Sequence, residues 1–88
     1  MGSVAAVHQL MSEDTEYDFA GLAKALPDKV PTGIKVVRSD IKPLAFGLKM
    51  LEVTTIMPDA AGLIEKLEDY YRSIDGIANV ETKEVGLI

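Results

Sequence analysis

The side chains from which this chain could build a reactive site are few. It has one histidine, His8, no cysteine, and three carboxylates, Glu65, Glu68 and Asp69, spaced to share a helix flank. An imidazole can act as a general base near neutral pH. One histidine cannot supply a multi-histidine metal site, and with no thiol there is no zinc thiolate centre, iron–sulfur cluster or cysteine nucleophile. His8 also lies inside the apolar run 3–11, which suits an imidazole packed in a core or on a sheet face. The three carboxylates read as a solvated helix flank. Tyr70 and Tyr71 offer rings for stacking a ligand, but they fall on or beside an apolar stripe and are expected to pack. None of the patterns GxGxxG, GxxxxGK[ST], HExxH or GxSxG occurs, so phosphate loops, zinc peptidase helices and nucleophile elbows have no support. A phosphate cradle built from Arg38 and Asn79 would join residues far apart in sequence, and the early loop 12–16 is acidic.

The one unusual segment is Lys42-Pro43-Leu44-Ala45-Phe46-Gly47-Leu48-Lys49. Proline stiffens the approach, glycine admits backbone angles that other residues resist, and an aromatic stands between flanking lysines. An apolar anchor ringed by charge is the anatomy of an interface hot spot. The other reading is a hairpin connection with Phe46 tucked into the core.

Periodicity supplies the elements that must carry this segment. Residues 3–11 form a short apolar run bounded by the polar 12–16, as a strand in the middle of a sheet would. From Asp18, the apolar Phe19, Leu22, Ala23 and Leu26 fall at helical spacing, and the helix is expected to end between 27 and 31. Residues 34–41 read as a charged edge strand, broken by 42–45, and residues 46–57 as a central strand with both faces partly apolar. A second helix opens at 58–61 with Asp59 as N-cap. Its stripe is Leu63, Ile64, Leu67, Tyr70, Tyr71 and Ile74, and it stops at Asp75-Gly76 with the glycine in the C′ role. Residues 77–85 close the chain as the opposite sheet edge. The order β-α-β-β-α-β predicts an α+β, ferredoxin-like sandwich: a four-stranded antiparallel sheet with two helices on one face, first and third strands central.

The 88 residues suit one domain over 1–88, with 48% apolar and 26% charged residues as in an ordinary folded domain. Its net charge of −5 argues against a nucleic-acid binder that relies on phosphate neutralisation. An RNA-recognition module of this topology stacks bases on aromatics of its central strands, whereas here the first strand has none and the third only Phe46 at its beginning. No run approaches the ~20 apolar residues of a membrane span and no signal peptide is visible, so a cytoplasmic location is expected. The charge is uneven: residues 35–51 hold four bases, Lys35, Arg38, Lys42 and Lys49, against the single acid Asp40. Such an island fits scattered solvated lysines or a patch that meets an acidic partner or a phosphate.

The run from Pro43 to Leu51 resembles the Phe-Gly pattern of the translation elongation factor 1 beta family in its small archaeal form. The opening residues 1–6 and the junction 73–77 are similar in style, and the likeness extends over the whole chain in element order and length. It implies a guanine-nucleotide exchange factor for elongation factor 1 alpha, with no covalent chemistry and no cofactor of its own, monomeric when free. Lys42, Phe46, Gly47 and Lys49 would meet the partner. In eukaryotic relatives a lysine near the C-terminus intrudes by the Mg²⁺ site of the GTPase, and Lys83 is the nearest counterpart here. A ferredoxin-like ligand-sensing regulatory module that homodimerises is the alternative from a different class.

Overall fold

Alternation along the central strands decides the layering. In a computed structural model of the chain, which describes residues 2–60 and 62–88, β1 (Ser3–Met11) buries Val4, Ala6, His8 and Leu10 and leaves Ala5, Val7, Gln9 and Met11 half-covered. β3 (Lys49–Pro58) does the same with Leu51, Val53, Thr55 and Met57. The two strands pair antiparallel, with Ser3 opposite Pro58 and Met11 opposite Met50, so their inward residues line one face. β2 (Lys35–Pro43) pairs with the outer side of β3, and β4 (Asn79–Leu87) with the outer side of β1. The sheet order is β2-β3-β1-β4, as the element order predicts, and α1 (Phe19–Lys29) and α2 (Leu63–Ser73) close over the inward face. The opposite face carries no helix. Leu10, Leu51 and Leu67 are fully buried, each worth about 1.5–3 kcal/mol by removal from water.

Several boundaries differ from the sequence expectation. β2 runs on through Lys42 and Pro43, because a proline at the end of an edge strand has no inward N–H to withhold. β3 therefore starts at Lys49 instead of 46, and Phe46 and Gly47 fall in the connecting turn Ala45–Gly47. β4 begins at Asn79 and reaches Leu87, two residues beyond the expected end. Asp18 caps α1 by accepting a 2.9 Å bond from the Gly21 N–H. Asp59 does not cap α2: its N–H donates to the Gly2 carbonyl at 3.1 Å, which holds it in line with β3, and the helix starts at Leu63 behind a left-handed Gly62. Met1 and Ala61, included in the sequence reading, lie outside the described residues. α2 ends at Ser73, earlier than the Asp75-Gly76 stop. Gly76 instead serves a tight turn closed by the Ile77 N–H donating to the Ile74 carbonyl at 3.2 Å. It has φ 87°, and a Cβ there would collide with the Tyr17 ring. Gly76→Ala is expected to cost at least about 1–2 kcal/mol from the left-handed backbone alone, seen as a melting point lowered by roughly 4–16 °C.

A polar clip sits inside the helix–sheet interface. His8 is fully buried in β1, edge-on to Tyr71 of α2 with ring centroids 5.3 Å apart. Its Nε2 lies 3.1 Å from Glu68 Oε2, and the same oxygen accepts a 2.6 Å bond from the Thr82 hydroxyl of β4. Burial lowers the His8 pKa against the raising effect of the Glu68 bond and charge; the Thr82 bond, foremost, lowers that of Glu68. The folded state thus favours a neutral imidazole that donates Nε2–H to a carboxylate. The sign follows: below the ordinary histidine pKa of 6.5 the unfolded chain takes up a proton that the fold resists. Stability is full above that pH and falls as the pH drops through the lower folded value. His8 is the only histidine. Melting points measured from pH 7.5 to 5 should fall in that window, and His8→Gln, which keeps a donor for Glu68, should flatten the decline.

Candidate functional site

Three loops meet at one end of the sheet, and the Phe-Gly turn is the outermost. The turn joins β2 to β3 after the last strand pair, Pro43 opposite Lys49, and is closed by the Leu44 N–H donating to the Leu48 carbonyl at 2.7 Å. Phe46 has φ 62° and ψ 29°, and Gly47 has φ 77°. Two successive left-handed residues are what primed hairpin turns require, and Asn-Gly supplies them at least cost. A phenylalanine in that conformation carries a strain of about 1–2 kcal/mol, and Phe46 is the only non-glycine residue with positive φ among the described residues. Its side chain is 94% exposed. Of the two readings of Phe46, an anchor on the surface or a residue tucked into the core, the second fails, because the hairpin places the ring in solvent. A bulky apolar side chain held in strained backbone and buried against nothing serves neither packing nor turn geometry.

The platform beside the turn is firmly built. The loop 12–18 is pinned by the Asp14 N–H to Ser12 Oγ bond at 3.1 Å and the Glu16 N–H to Asp14 Oδ1 bond at 2.9 Å. The Tyr17 hydroxyl donates to the Asp75 carbonyl at 2.9 Å, tying this loop to the α2–β4 connection, and the Tyr17 and Phe19 rings meet edge-on at 4.9 Å. Burial, with Asp75 and Asp18 nearby, raises the Tyr17 phenol pKa. Thr15 reaches towards Gly47, and a shallow groove lined by Tyr17, Asp18, Phe19, Ile41 and Lys49 runs below the turn. Glu13, Asp14, Glu16 and Asp18 make this loop strongly acidic.

The residues singled out from sequence do not form one cluster. Phe46, Gly47 and Lys49 lie together at this end. Lys42 is close by, but its ammonium is paired with Glu52 Oε1 at 3.0 Å across the helix-free sheet face, where Gln9 donates to Glu52 Oε2 at 3.1 Å. These two bonds, Lys42 first, lower the Glu52 pKa. Arg38 is likewise paired, with Asp40 at 2.7 Å, so the basic island is half neutralised. Lys83 stands elsewhere, in the middle of β4. With about 4.8 Å between neighbouring strands and about 3.3 Å per residue along them, it is on the order of 20 Å from the turn. Sequence reasoning missed the pairing of Glu52 with Lys42. Glu52 stands out as a charge in the largely apolar β3, but the register of β2 on β3, with Asp40 opposite Glu52 and Lys42 opposite Met50, was needed to bring the two within reach.

Lys83 has its own local geometry. Val7 pairs with Glu84 and His8 with Thr82, so Lys83 is the extra residue of a β-bulge. It lines a shallow trough on the helix-free face with Ala5, Val7, Glu84 and Gly86, near enough to Glu52 for its charge to lower that carboxyl further. Val85, Leu87 and Ile88 continue from it as an exposed apolar end, tied down by the Ile88 N–H donating to the Ser3 carbonyl at 2.8 Å.

A solvent-exposed aromatic, two lysines and an acidic loop on a rigid sandwich can grip a macromolecule, and comparison with known proteins agrees. Residues 5–88 match the family described as the EF-1 guanine nucleotide exchange domain. The protein named Elongation factor 1-beta of Natronomonas pharaonis is 40% identical over 88 residues, covering both chains in full. Its namesake in Halobacterium salinarum is 36% identical over 98% of each chain. That of Methanothermobacter thermautotrophicus is 34% identical over 97% of this chain and 96% of its own. With its Phe-Gly turn displayed at the end of a ferredoxin-like sheet, the chain belongs to the EF-1 guanine nucleotide exchange domain family.

Proposed function

We propose that this chain promotes GDP/GTP exchange on elongation factor 1 alpha, and so supports aminoacyl-tRNA delivery in protein synthesis in the cytoplasm, by surface contact alone. The observation that carries the reading is Phe46, strained and 94% exposed in a member of an exchange-factor family. Docking such a ring into a partner removes about 150–250 Å² of aromatic surface from water, enough for an anchor. Gly47 lets the turn close, Lys49 flanks the anchor, and Lys42, whose charge is met by Glu52, supplies a polar rim beside it. Lys83 makes the second contact and approaches the Mg²⁺ and phosphate end of the bound nucleotide. A partner that prefers the nucleotide-free GTPase must weaken nucleotide binding by the same factor, and a lysine beside Mg²⁺ is one source of that preference.

The free protein acts as a single copy. Its exposed edge strand β2 carries Lys35, Lys42, Pro43 and a bulge next to Val37, features that blunt pairing with another edge.

The test is release of a fluorescent GDP analogue from elongation factor 1 alpha, which catalytic amounts of this chain should accelerate; an unchanged rate overturns the assignment. Phe46→Asn replaces the strained residue with one suited to the turn. It should hold or raise the melting point, by up to about 4–8 °C if about 1 kcal/mol of strain is relieved, while cutting exchange at least about tenfold, the size of one lost hot-spot contact. A loss of stability together with activity would make Phe46 a structural residue. Lys83→Met should leave the melting point within a few degrees and lower exchange at saturating factor, a deficit in the displacement step that a binding-only lysine would not show.

A further inference from the structure

We infer that Thr82 and Glu68 are positioning residues for Lys83, acting through the sheet from its helix-covered side. This rests on the reading of Lys83 as a contact to the GTPase. A β-bulge inserts one residue, bends its strand and re-aims the side chains around it. In β4 the inserted residue is Lys83, and its neighbour Thr82 pairs with His8, a residue of the buried face. Thr82 does not stand free there: its hydroxyl donates to Glu68 Oε2 at 2.6 Å, the shortest side-chain hydrogen bond at this interface. Glu68 is itself fixed by the buried His8 at 3.1 Å, and Arg72 lies 4.0 Å from its other oxygen.

One side of the bulge is thereby anchored to α2, and the other side returns to register where Glu84 meets Val7 on the helix-free face. Between two fixed neighbours, Lys83 has little freedom of backbone direction. It stands over the trough with Ala5 and Val7, within reach of the Glu52 charge. Without the anchor, nothing at Thr82 selects this bulge over an adjacent register, because β4 is an edge strand whose residues from Glu81 to Ile88 are all exposed. The bond from β4 to α2 therefore does more than dock a helix: it fixes which lysine conformation the GTPase meets.

The experiment is a double-mutant cycle on exchange rate with Thr82→Val, Lys83→Met and the pair, together with amide hydrogen exchange of Lys83 and Glu84 in the free protein. Thr82→Val keeps β-branching and shape, so the fold should survive, as circular dichroism will report. The single change should cut exchange about three- to tenfold, the range for one lost hydrogen bond, and speed amide exchange at the bulge. The pair should be no worse than Lys83→Met alone, and Thr82→Ser, which retains the hydroxyl, should restore the rate. Losses that multiply in the pair, or bulge amides unchanged by Thr82→Val, overturn the positioning role. Full activity in Lys83→Met overturns the assignment of Lys83 itself, a distinct outcome because the amide exchange of the bulge is read without the GTPase.

Discussion

Everything functional in this molecule depends on the alternation of two paired central strands. Because side chains in β1 and β3 point alternately up and down, pairing them in one register sends Ala6, His8 and Leu10 with Leu51, Val53, Thr55 and Met57 beneath the helices. It also leaves Val7, Gln9, Glu52 and Thr54 on a face without cover. A slip of one residue in β3 would exchange its two sets, burying Glu52 and exposing Leu51 and Val53. The same register fixes where β3 begins, and hence that the turn before it stands clear of the sheet end. The position of the anchor and the burial of the imidazole follow from that pairing, and Lys83 is placed by the bulge of β4 on the other side of β1.

Much of this was legible in the sequence. The bounds of β1 at 3–11, the central place of β1 and β3 and the stripe of α2 follow from hydrophobic period alone, since burial on one face or two writes itself into the spacing. His8 and Tyr71 were legible as packed residues for the same reason. What failed were points where one backbone hydrogen bond outweighs local propensity. Asp59 is a good N-cap by type, but its N–H is taken by Gly2, and α2 starts behind a glycine with no side-chain cap. Pro43 reads as a strand breaker but costs nothing at an edge. Phe46 admits two readings from sequence, surface anchor and core residue; it stands in solvent, and its left-handed backbone is the feature that the sequence does not show. For the site, the segment 42–49 was legible as a surface, whereas the separation of Lys83 from it, and the diversion of Lys42 to Glu52, required the register.

Strain at Phe46 and the placement of the perturbed titratable groups belong to the same account. An enzyme concentrates its cost in perturbed titratable groups around a cleft. Here three of the perturbed groups, His8, Glu68 and Tyr71, lie at the helix–sheet interface, where they hold α2 in place, and those nearer the surface, Glu52 and Tyr17, are tied into an ion pair and a loop clasp. The cost on the surface is conformational instead, carried by a phenylalanine where asparagine would be cheaper. Exchange as proposed here calls for a shape that the GTPase matches better when empty than when loaded.

That requirement explains why a small rigid sheet suffices. The two contacts proposed for this chain, one aromatic and one cationic and on the order of 20 Å apart, would act together only if the body between them does not bend. Flexibility would let each contact be made in turn on the loaded GTPase, and the difference in affinity between the loaded and empty states would vanish. The antiparallel ladder of four strands, the bonds that pin the loop 12–18 and the anchor of β4 on α2 all oppose such bending. With the spacing fixed, the proposed mode has engagement of the aromatic end commit the lysine to one place on the partner, so that the binding energy of the first contact would be spent on displacement at the second.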